Sequence, residues 1–379
     1  MAIAVFIVPD IYISAVFVRG MWWRILWWMP TVAALAASAA FVQGYNPQWL
    51  IRLLFLLMLC VALPKALFCI FSMTGHAASR LPALAGAGRV ADIAGVAVGA
   101  LAAAVFLYGF TIGWKQLTVR RTTLEFEHLP ESFDGYRIVH FSDLHAGSYG
   151  SDTRFVERLV GLINREDADA VVFTGDIINT TYEELEPFGG VLSQILARDG
   201  VYSVIGNHDY STYHRWPTPG GAARSLAEVK RMERGFGWHL LLNEHRTVTR
   251  GSDSIAFVGV ENVGRPPFPS KGDLSAAVAG LPAHIFKVLL SHDPTHWRAE
   301  VLPCTDIDLM LAGHTHAMQF RLWGFSPSAL TYPEWGGEYD ESGRKLYVST
   351  GTGGSAPFRF GAWPCIDVIT LKRKGGNQP

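Results

Sequence analysis

Three apolar stretches, Met21–Val42, Trp49–Met73 and Ala91–Gly113, approach or exceed the ~20 residues a helix needs to cross a bilayer. A fourth, Ala2–Val18, is shorter and carries Asp10. It lacks a basic leader and a small-residue cleavage site, so it reads as a retained helix and not as a signal peptide. Trp22, Trp23, Trp27 and Trp28 suit an aromatic belt at a membrane–water interface. Acidic groups are nearly absent up to residue 115, and most of the charge follows Lys115. This break in composition sets the expected organisation: a transmembrane region of about four helices over 1–115 and a polar domain over 116–379.

Orientation rests on a few cations. Arg19 and Arg24 flank the first hairpin, Arg80 and Arg89 lie between the third and fourth spans, and Gln43–Gln48 carries no charge. The positive-inside rule then predicts a multi-pass inner-membrane protein with its polar domain on the extracytoplasmic side. Lys115, Arg120 and Arg121 weigh the other way. The net charge of −1 predicts no attraction of nucleic acid by the overall field. No basic tract interleaved with aromatics would track a strand, so no nucleic-acid partner is expected. Cys60 and Cys69 read as small fillers within a span. Cys304 and Cys365 each follow a proline, and a disulfide between them is open if the domain faces an oxidising compartment.

From Tyr136 onward, strand and helix patterns alternate. "YRIVHFSD", "ADAVVFTGD" and "GVYSVIGNHD" read as buried strands, with helices expected over Ser151–Asn164 and Glu183–Ala197. Such a series implies parallel strands with helices packed on the sheet. "RTVTR" and "SIAFVGV" read as a hairpin, "FKVLLSHD" and "IDLMLAGHTH" as further strands, and "KLYVSTG" and "CIDVITLKR" as closing strands. The expected domain is an α/β body of two packed sheets with helices outside.

Five of these strands end in the same kind of chemistry: Asp143 and His145 in "SDLH", Asp176 in "TGD", Asn207 and His208 in "GNHD", His292 in "LLSHD", and His314 and His316 in "LAGHTH". Groups just beyond the carboxyl ends of parallel strands gather in one crevice. Carboxylates, imidazoles and an amide oxygen are donors for Mn²⁺, Fe²⁺ or Zn²⁺. Singly, D-x-H or TGD is common, and a lone histidine is more often a packed core residue. All five in this order, each closing a strand, point to a two-metal site.

These ordered motifs, with "LPESFDGYRIVHFSDLH", "LLSHDP", "GHTHAMQF" and "LYVSTGTGGSAPFRFGAWP", resemble the calcineurin-like metallophosphoesterases, in particular their membrane-tethered bacterial branch. The resemblance covers about Leu124 to Lys372. It implies an α/β/β/α sandwich and two divalent ions, Mn, Fe or Zn. Asp143, His145 and His316 would hold one ion; Asn207, His292 and His314 would hold the other, with Asp176 bridging. The implied activity is hydrolysis of a phosphodiester or pyrophosphate bond by a metal-bridging hydroxide, with His208 as acid–base partner. Many members have an aspartate three residues after the bridging carboxylate, paired with that histidine; here the position is Asn179. An amide orients an imidazole but favours its charged form less than a carboxylate does, so His208 is expected to be a weaker acid–base partner.

Arg359 is weighed as a phosphate contact, His296 as a loop residue, and the aromatics Trp323, Phe325, Tyr332 and Trp335 as an apolar rim or ordinary packing. A domain tethered to a bilayer meets lipid-linked phosphates at high local concentration, which favours a lipid or cell-envelope substrate. The alternative is a membrane scaffold with a vestigial metal site, though no ligand is missing. A transporter would need more buried ionisable residues in the spans than Asp10 and Lys65.

Overall fold

The computed structural model describes residues 2–44 and 47–375, so part of the uncharged Gln43–Gln48 connection lies outside the described residues. The chain divides into two compact units: Met1–Gly113 with Ala356–Phe360, and Trp114–Ser355 with Gly361–Pro379. The division falls close to the composition break. The grouping of Ala356–Phe360 with the apolar helices was not legible in the sequence.

The first unit is helical: α1 (Ala2–Val16), α2 (Met21–Val42), α3 (Gln48–Leu57), α4 (Leu63–Ala78) and α5 (Ala87–Thr111). A π-helical turn, Met58–Ala62, joins α3 to α4 as one apolar rod. Three helical stretches, Met21–Val42, Gln48–Ala78 and Ala87–Lys115, are long and apolar enough to cross a membrane; α1 is not. Small residues let α4 and α5 approach closely, since a Cβ on Gly75 would lie 2.1 Å from that of Ala91. Asp10 is buried against the Lys65 ammonium at 2.7 Å and accepts a hydrogen bond from Thr31, the pairing that a charge in such surroundings requires. Phe358 packs its ring against Phe106 and Phe110, and the Arg359 N–H donates to the Gly109 carbonyl.

Among its described residues the second unit holds twelve strands: β1 (Thr118–Phe126), β2 (Arg137–Phe141), β3 (Ala170–Phe173), β4 (Val201–Ser203), β5 (His239–Leu240), β6 (Glu244–Arg250), β7 (Asp253–Gly259), β8 (Phe286–Leu290), β9 (Leu309–Ala312), β10 (Gly337–Glu341), β11 (Arg344–Val348) and β12 (Cys365–Arg373). They form two six-stranded sheets, ordered β1-β12-β2-β3-β4-β5 and β10-β11-β9-β8-β7-β6. Period-2 alternation decides the layers. Ile138, Val172, Val288 and Leu311 fill the space between the sheets, while Val139, Phe141, Val171 and Phe173 face the outer layer of α6 (Arg154–Arg165). Ala256, Val258, Leu289 and Met310 face outward from the other sheet, where Trp297 covers them. The result is the expected pair of mixed sheets flanked by helices.

The helix expected over Glu183–Ala197 is broken. A 3₁₀ segment, Tyr182–Phe188, leads into the single turn α7 (Gly189–Leu192). Pro187 removes a backbone donor, and Gly189 and Gly190 follow at the highest conformational cost in a helix. The remaining helices are α8 (Gly221–Gly235), α9 (Leu274–Val278) and α10 (Leu302–Cys304). Cys304 is exposed, Cys365 is buried, and neither is in a disulfide.

Candidate metal centre

Strands β2, β3 and β4 run parallel, as do β7, β8 and β9, so their carboxyl ends lie on one side of each sheet. The loops that follow bring together two donor groups: Asp143, His145, Asp176 and His316, and Asp176, His292 and His314. Within each group the donor atoms lie within 4.8 Å of one another. Asp176 is common to both: its Oδ2 lies 3.7 Å from His145 Nε2 and 3.2 Å from His292 Nε2. His316 Nε2 stands 3.1 Å from His145 Nε2 and 3.3 Å from Asp143 Oδ1.

The backbone is bent hard to achieve this. Asp143, His145, Asp176, His314 and His316 all have positive φ, between 50° and 71°, in the left-handed region that L-residues avoid. Such strain persists only where the surroundings over-determine it. Two glycines make room: a Cβ on Gly206 would lie 2.2 Å from Asp176 Oδ1, and one on Gly313 would lie 2.3 Å from Asp143 Oδ2. Asp209 braces these loops from behind. Its buried carboxylate accepts the backbone N–H groups of Asp176, Ile177, Ile178 and Gly206 at 2.7–3.3 Å.

Asn207 lies at the same strand ends, beyond β4. Its Nδ2 donates to the Tyr213 hydroxyl at 2.9 Å, whereas its buried Oδ1 has no hydrogen-bond partner among the described residues. An orphaned amide oxygen is costly unless something electropositive meets it. His292 Nδ1–H donates to the Thr174 carbonyl at 2.7 Å, which leaves Nε2 for the cluster. His314 directs Nδ1 towards His292 Nε2 (3.3 Å), and its Nε2 meets the Tyr332 hydroxyl at 2.9 Å. These are the outer hydrogen bonds that fix the tautomer and ring angle of metal-binding groups. Hard oxygen and borderline nitrogen donors, and no thiolate, fit first-row divalent ions.

Burial and neighbouring charges shift the proton affinities of these groups in both directions. Burial pushes Asp143 up to about 6, against the pull of His292. Burial also opposes ionisation of Asp176, but His292, His208 and His145 outweigh it and hold its carboxyl well below the usual range. Burial disfavours charge on His292, yet the Asp176 and Asp143 carboxylates raise it to about 10. His314, buried and beside His292, falls to about 4. Without cations the site balances its carboxylates with a protonated imidazole, which must lose its proton when a metal enters.

His208 sits at the partly open edge. Its ring centroid is 4.7 Å from that of His145, and its Nδ1–H donates to the backbone carbonyl of Asn179 at 2.6 Å. The expected side-chain contact from Asn179 is not the one observed. The Asn179 amide donates instead to Ser148 Oγ at 3.0 Å. A backbone carbonyl therefore orients this imidazole, whatever side chain stands at 179. Arg359 is buried in the helical unit and is not among the residues brought together here. His296, expected on an exposed loop, is fully buried between Ser291 and Glu300. Tyr332, read from the sequence as part of an apolar rim or ordinary packing, instead hydrogen-bonds His314, while no motif spacing marks Tyr213 or the reach of Asp209.

Comparison with known proteins agrees with this geometry. Residues 136–318 match the family described as calcineurin-like phosphoesterase. An uncharacterised metallophosphoesterase of Bacillus subtilis, YkuE, is 29% identical over 72% of this chain and 94% of its own length. A zebrafish (Danio rerio) protein described as a transmembrane protein with metallophosphoesterase domain is also 29% identical, over 72% of this chain and 61% of its own. The UDP-2,3-diacylglucosamine pyrophosphatase LpxG of Chlamydia trachomatis is 27% identical over 64% of this chain and 86% of its own. With two mixed sheets flanked by helices, the chain carries over residues 136–318 a calcineurin-like phosphoesterase domain, the type found in metal-dependent hydrolases of phosphoric esters.

Proposed function

We propose that the protein is a membrane-tethered phosphoesterase with two divalent cations, hydrolysing a phosphodiester or pyrophosphate bond in a lipid-linked or cell-envelope substrate. The observation that carries this reading is the position of Asp176 Oδ2 between the imidazoles of two separate donor groups. Asp143, His145 and His316 would hold one cation, and Asn207, His292 and His314 the other, with Asp176 between them. When bound, such a pair supplies Lewis acidity towards phosphoryl oxygens and acidifies water near neutral pH.

The chain's own residues would do the rest. Asp209 and the glycine contacts hold the ligand loops in their bent conformations before any substrate arrives. The Asn179 carbonyl holds His208 Nδ1–H, so Nε2 is the nitrogen left to carry a proton to the leaving oxygen. Tyr213 and Tyr332 keep the Asn207 oxygen and His314 Nδ1 turned inward. The complete donor set speaks against a vestigial site. The three long apolar helices and the substrate named for the chlamydial relative support a lipid-linked phosphate. In this reading the basic connections favour a catalytic unit outside the inner membrane, whereas a cytoplasmic lipid precursor would require the opposite face.

The test is to incubate full-length protein, loaded with Mn²⁺ in detergent, with total lipid extract of its host and with an aryl phosphodiester. Lipids and released phosphates are followed by mass spectrometry. The expected result is a lipid species consumed by wild type and not by Asp176→Asn. Cleavage of the aryl ester alone would retain the phosphoesterase and reject the lipid; cleavage of neither under several metals would reject both.

A further inference from the structure

The "GHTH" ligands are followed by a loop that the chemistry above leaves unexplained. Between Ala317 and Pro333 there is one charged residue, Arg321, and no acidic one. The base of the loop is fastened beside the metal ligands. Ser326 Oγ donates to the Ala317 carbonyl, Thr315 Oγ1 to the Trp335 carbonyl, and the Tyr332 hydroxyl meets His314 Nε2.

Its tip is a two-residue turn closed by reciprocal Leu322 and Phe325 backbone hydrogen bonds of 2.9 and 3.0 Å. Trp323 and Gly324 occupy its centre with φ of 49° and 84°. Both positions call for left-handed backbone, which asparagine and glycine supply cheaply and tryptophan does not. The strained residue is also the one most given up to solvent: Trp323 is 95% exposed, with Leu330 at 82% and Phe325 at 53%. Met318 and Leu322 are exposed as well. Folding gains almost nothing from so exposed an indole, so the turn spends strain to present apolar surface. Five exposed large apolar side chains within one short loop mark it as an interaction segment.

We propose that this loop enters the interfacial layer of a lipid bilayer containing anionic phospholipid, with Trp323 and Leu330 as apolar anchors and Arg321 against the headgroup phosphates. Two observations select that occupant. Tryptophan beside a cation, with no carboxylate between Ala317 and Pro333, matches the composition of a membrane interface and complements a negative lipid surface. Arg321 packs over the Trp335 ring at 5.6 Å and directly precedes the apolar tip in the chain.

The inference rests on reading the apolar helices as membrane-embedded, and it deepens the proposed lipid-linked substrate. A loop rooted at His314 and His316 and anchored in the leaflet would deliver a lipid phosphate to the cations without extracting its acyl chains.

The test uses the full chain in nanodiscs of phosphatidylcholine and phosphatidylglycerol, with a coumarin-bearing amino acid incorporated at position 323. The same probe at position 131, where the Glu131 side chain is 89% exposed, serves as comparator. Doxyl-labelled lipids are expected to quench the probe at 323 at least about twofold more than at 131, as for an interfacial tryptophan. Equal quenching would overturn the proposal and leave the patch to a protein partner. Hydrolysis of bis(p-nitrophenyl) phosphate, measured in parallel, separates the two readings. Quenching without hydrolysis retains the loop and rejects the phosphoesterase; hydrolysis with equal quenching does the reverse. The double variant Trp323→Ser, Leu330→Ser is expected to keep its rate on this soluble ester within about twofold, because neither residue is a metal ligand. A collapse of that rate would make the tip part of the catalytic fold and overturn the proposal.

Discussion

Replacing Asp209 by asparagine tests whether the bent ligand loops are held by this one side chain. Each of its carboxylate oxygens accepts two backbone N–H groups: Oδ2 those of Asp176 and Gly206, Oδ1 those of Ile177 and Ile178. An amide of the same shape keeps one oxygen and turns an NH₂ towards two donors. Two buried N–H groups are then left unsatisfied at about 1–3 kcal/mol each. Removing the charge offsets part of this, since burial and the neighbouring Asp176 already push Asp209 up to about 7. The net expectation is about 3 kcal/mol of destabilisation, or a fall in Tm of roughly 6–12 °C for a domain of this size. Thermal unfolding should be followed by tryptophan fluorescence in detergent with excess chelator, so that altered metal affinity does not enter the difference. Trp238 and Trp297, both buried in the catalytic unit, report on the right region. Asp209→Ala, which removes all four acceptor contacts, should fall further. A change under about 2 °C in the asparagine variant, or equal effects of the two substitutions, would refute the idea of a brace.

Two further outcomes follow from particular contacts. Tyr332→Phe removes the partner of His314 Nε2 and should weaken Mn²⁺ binding at the Asp176–His292–His314 group about 10–100-fold; titration calorimetry showing unchanged Mn²⁺ affinity would contradict this. Glu233 is fully buried in α8, and its two carboxylate oxygens have no hydrogen-bond partner among the described residues; burial and the charge of Asp209 raise its pKa well above the ordinary 4.5. The folded state therefore holds this proton more tightly than the unfolded one, so stability is full below about pH 4.5 and is lost as pH rises towards the folded pKa, at about 1.4 kcal/mol per unit. Glu233→Gln should lose less Tm than wild type between pH 5 and 8, and parallel curves would show that the group is not the source.

Much of the site was legible because its signals are local along the chain. A ligand that closes a buried strand is placed by the strand itself, and parallel pairing carries all such ends to one side. Asp143, Asp176, His292 and His314, which the structure brings into the two donor groups, are therefore visible from pattern alone, as is the hairpin of β6 and β7. Pro187 shows the limit even at short range: the apolar spacing of Glu183–Ala197 is helical, but Pro187 lacks the donor that a continuous helix needs.

The sequence by itself determined the two-part composition of the chain, the strands and the order of the metal-type ligands. These depend on periodicity and on which atoms a side chain carries. Only the tertiary structure decided who orients whom. The Asn179 backbone, not its amide, holds His208, while Tyr213 and Tyr332 hold Asn207 and His314. It also revealed five candidate donors in left-handed backbone, and a tryptophan strained outward at the tip of the loop that follows His314 and His316. Such features depend on where loops far apart in sequence, 118 residues in the case of His292 and Thr174, come to rest. A hydrogen bond across that distance leaves no periodicity behind, so packing alone selects it.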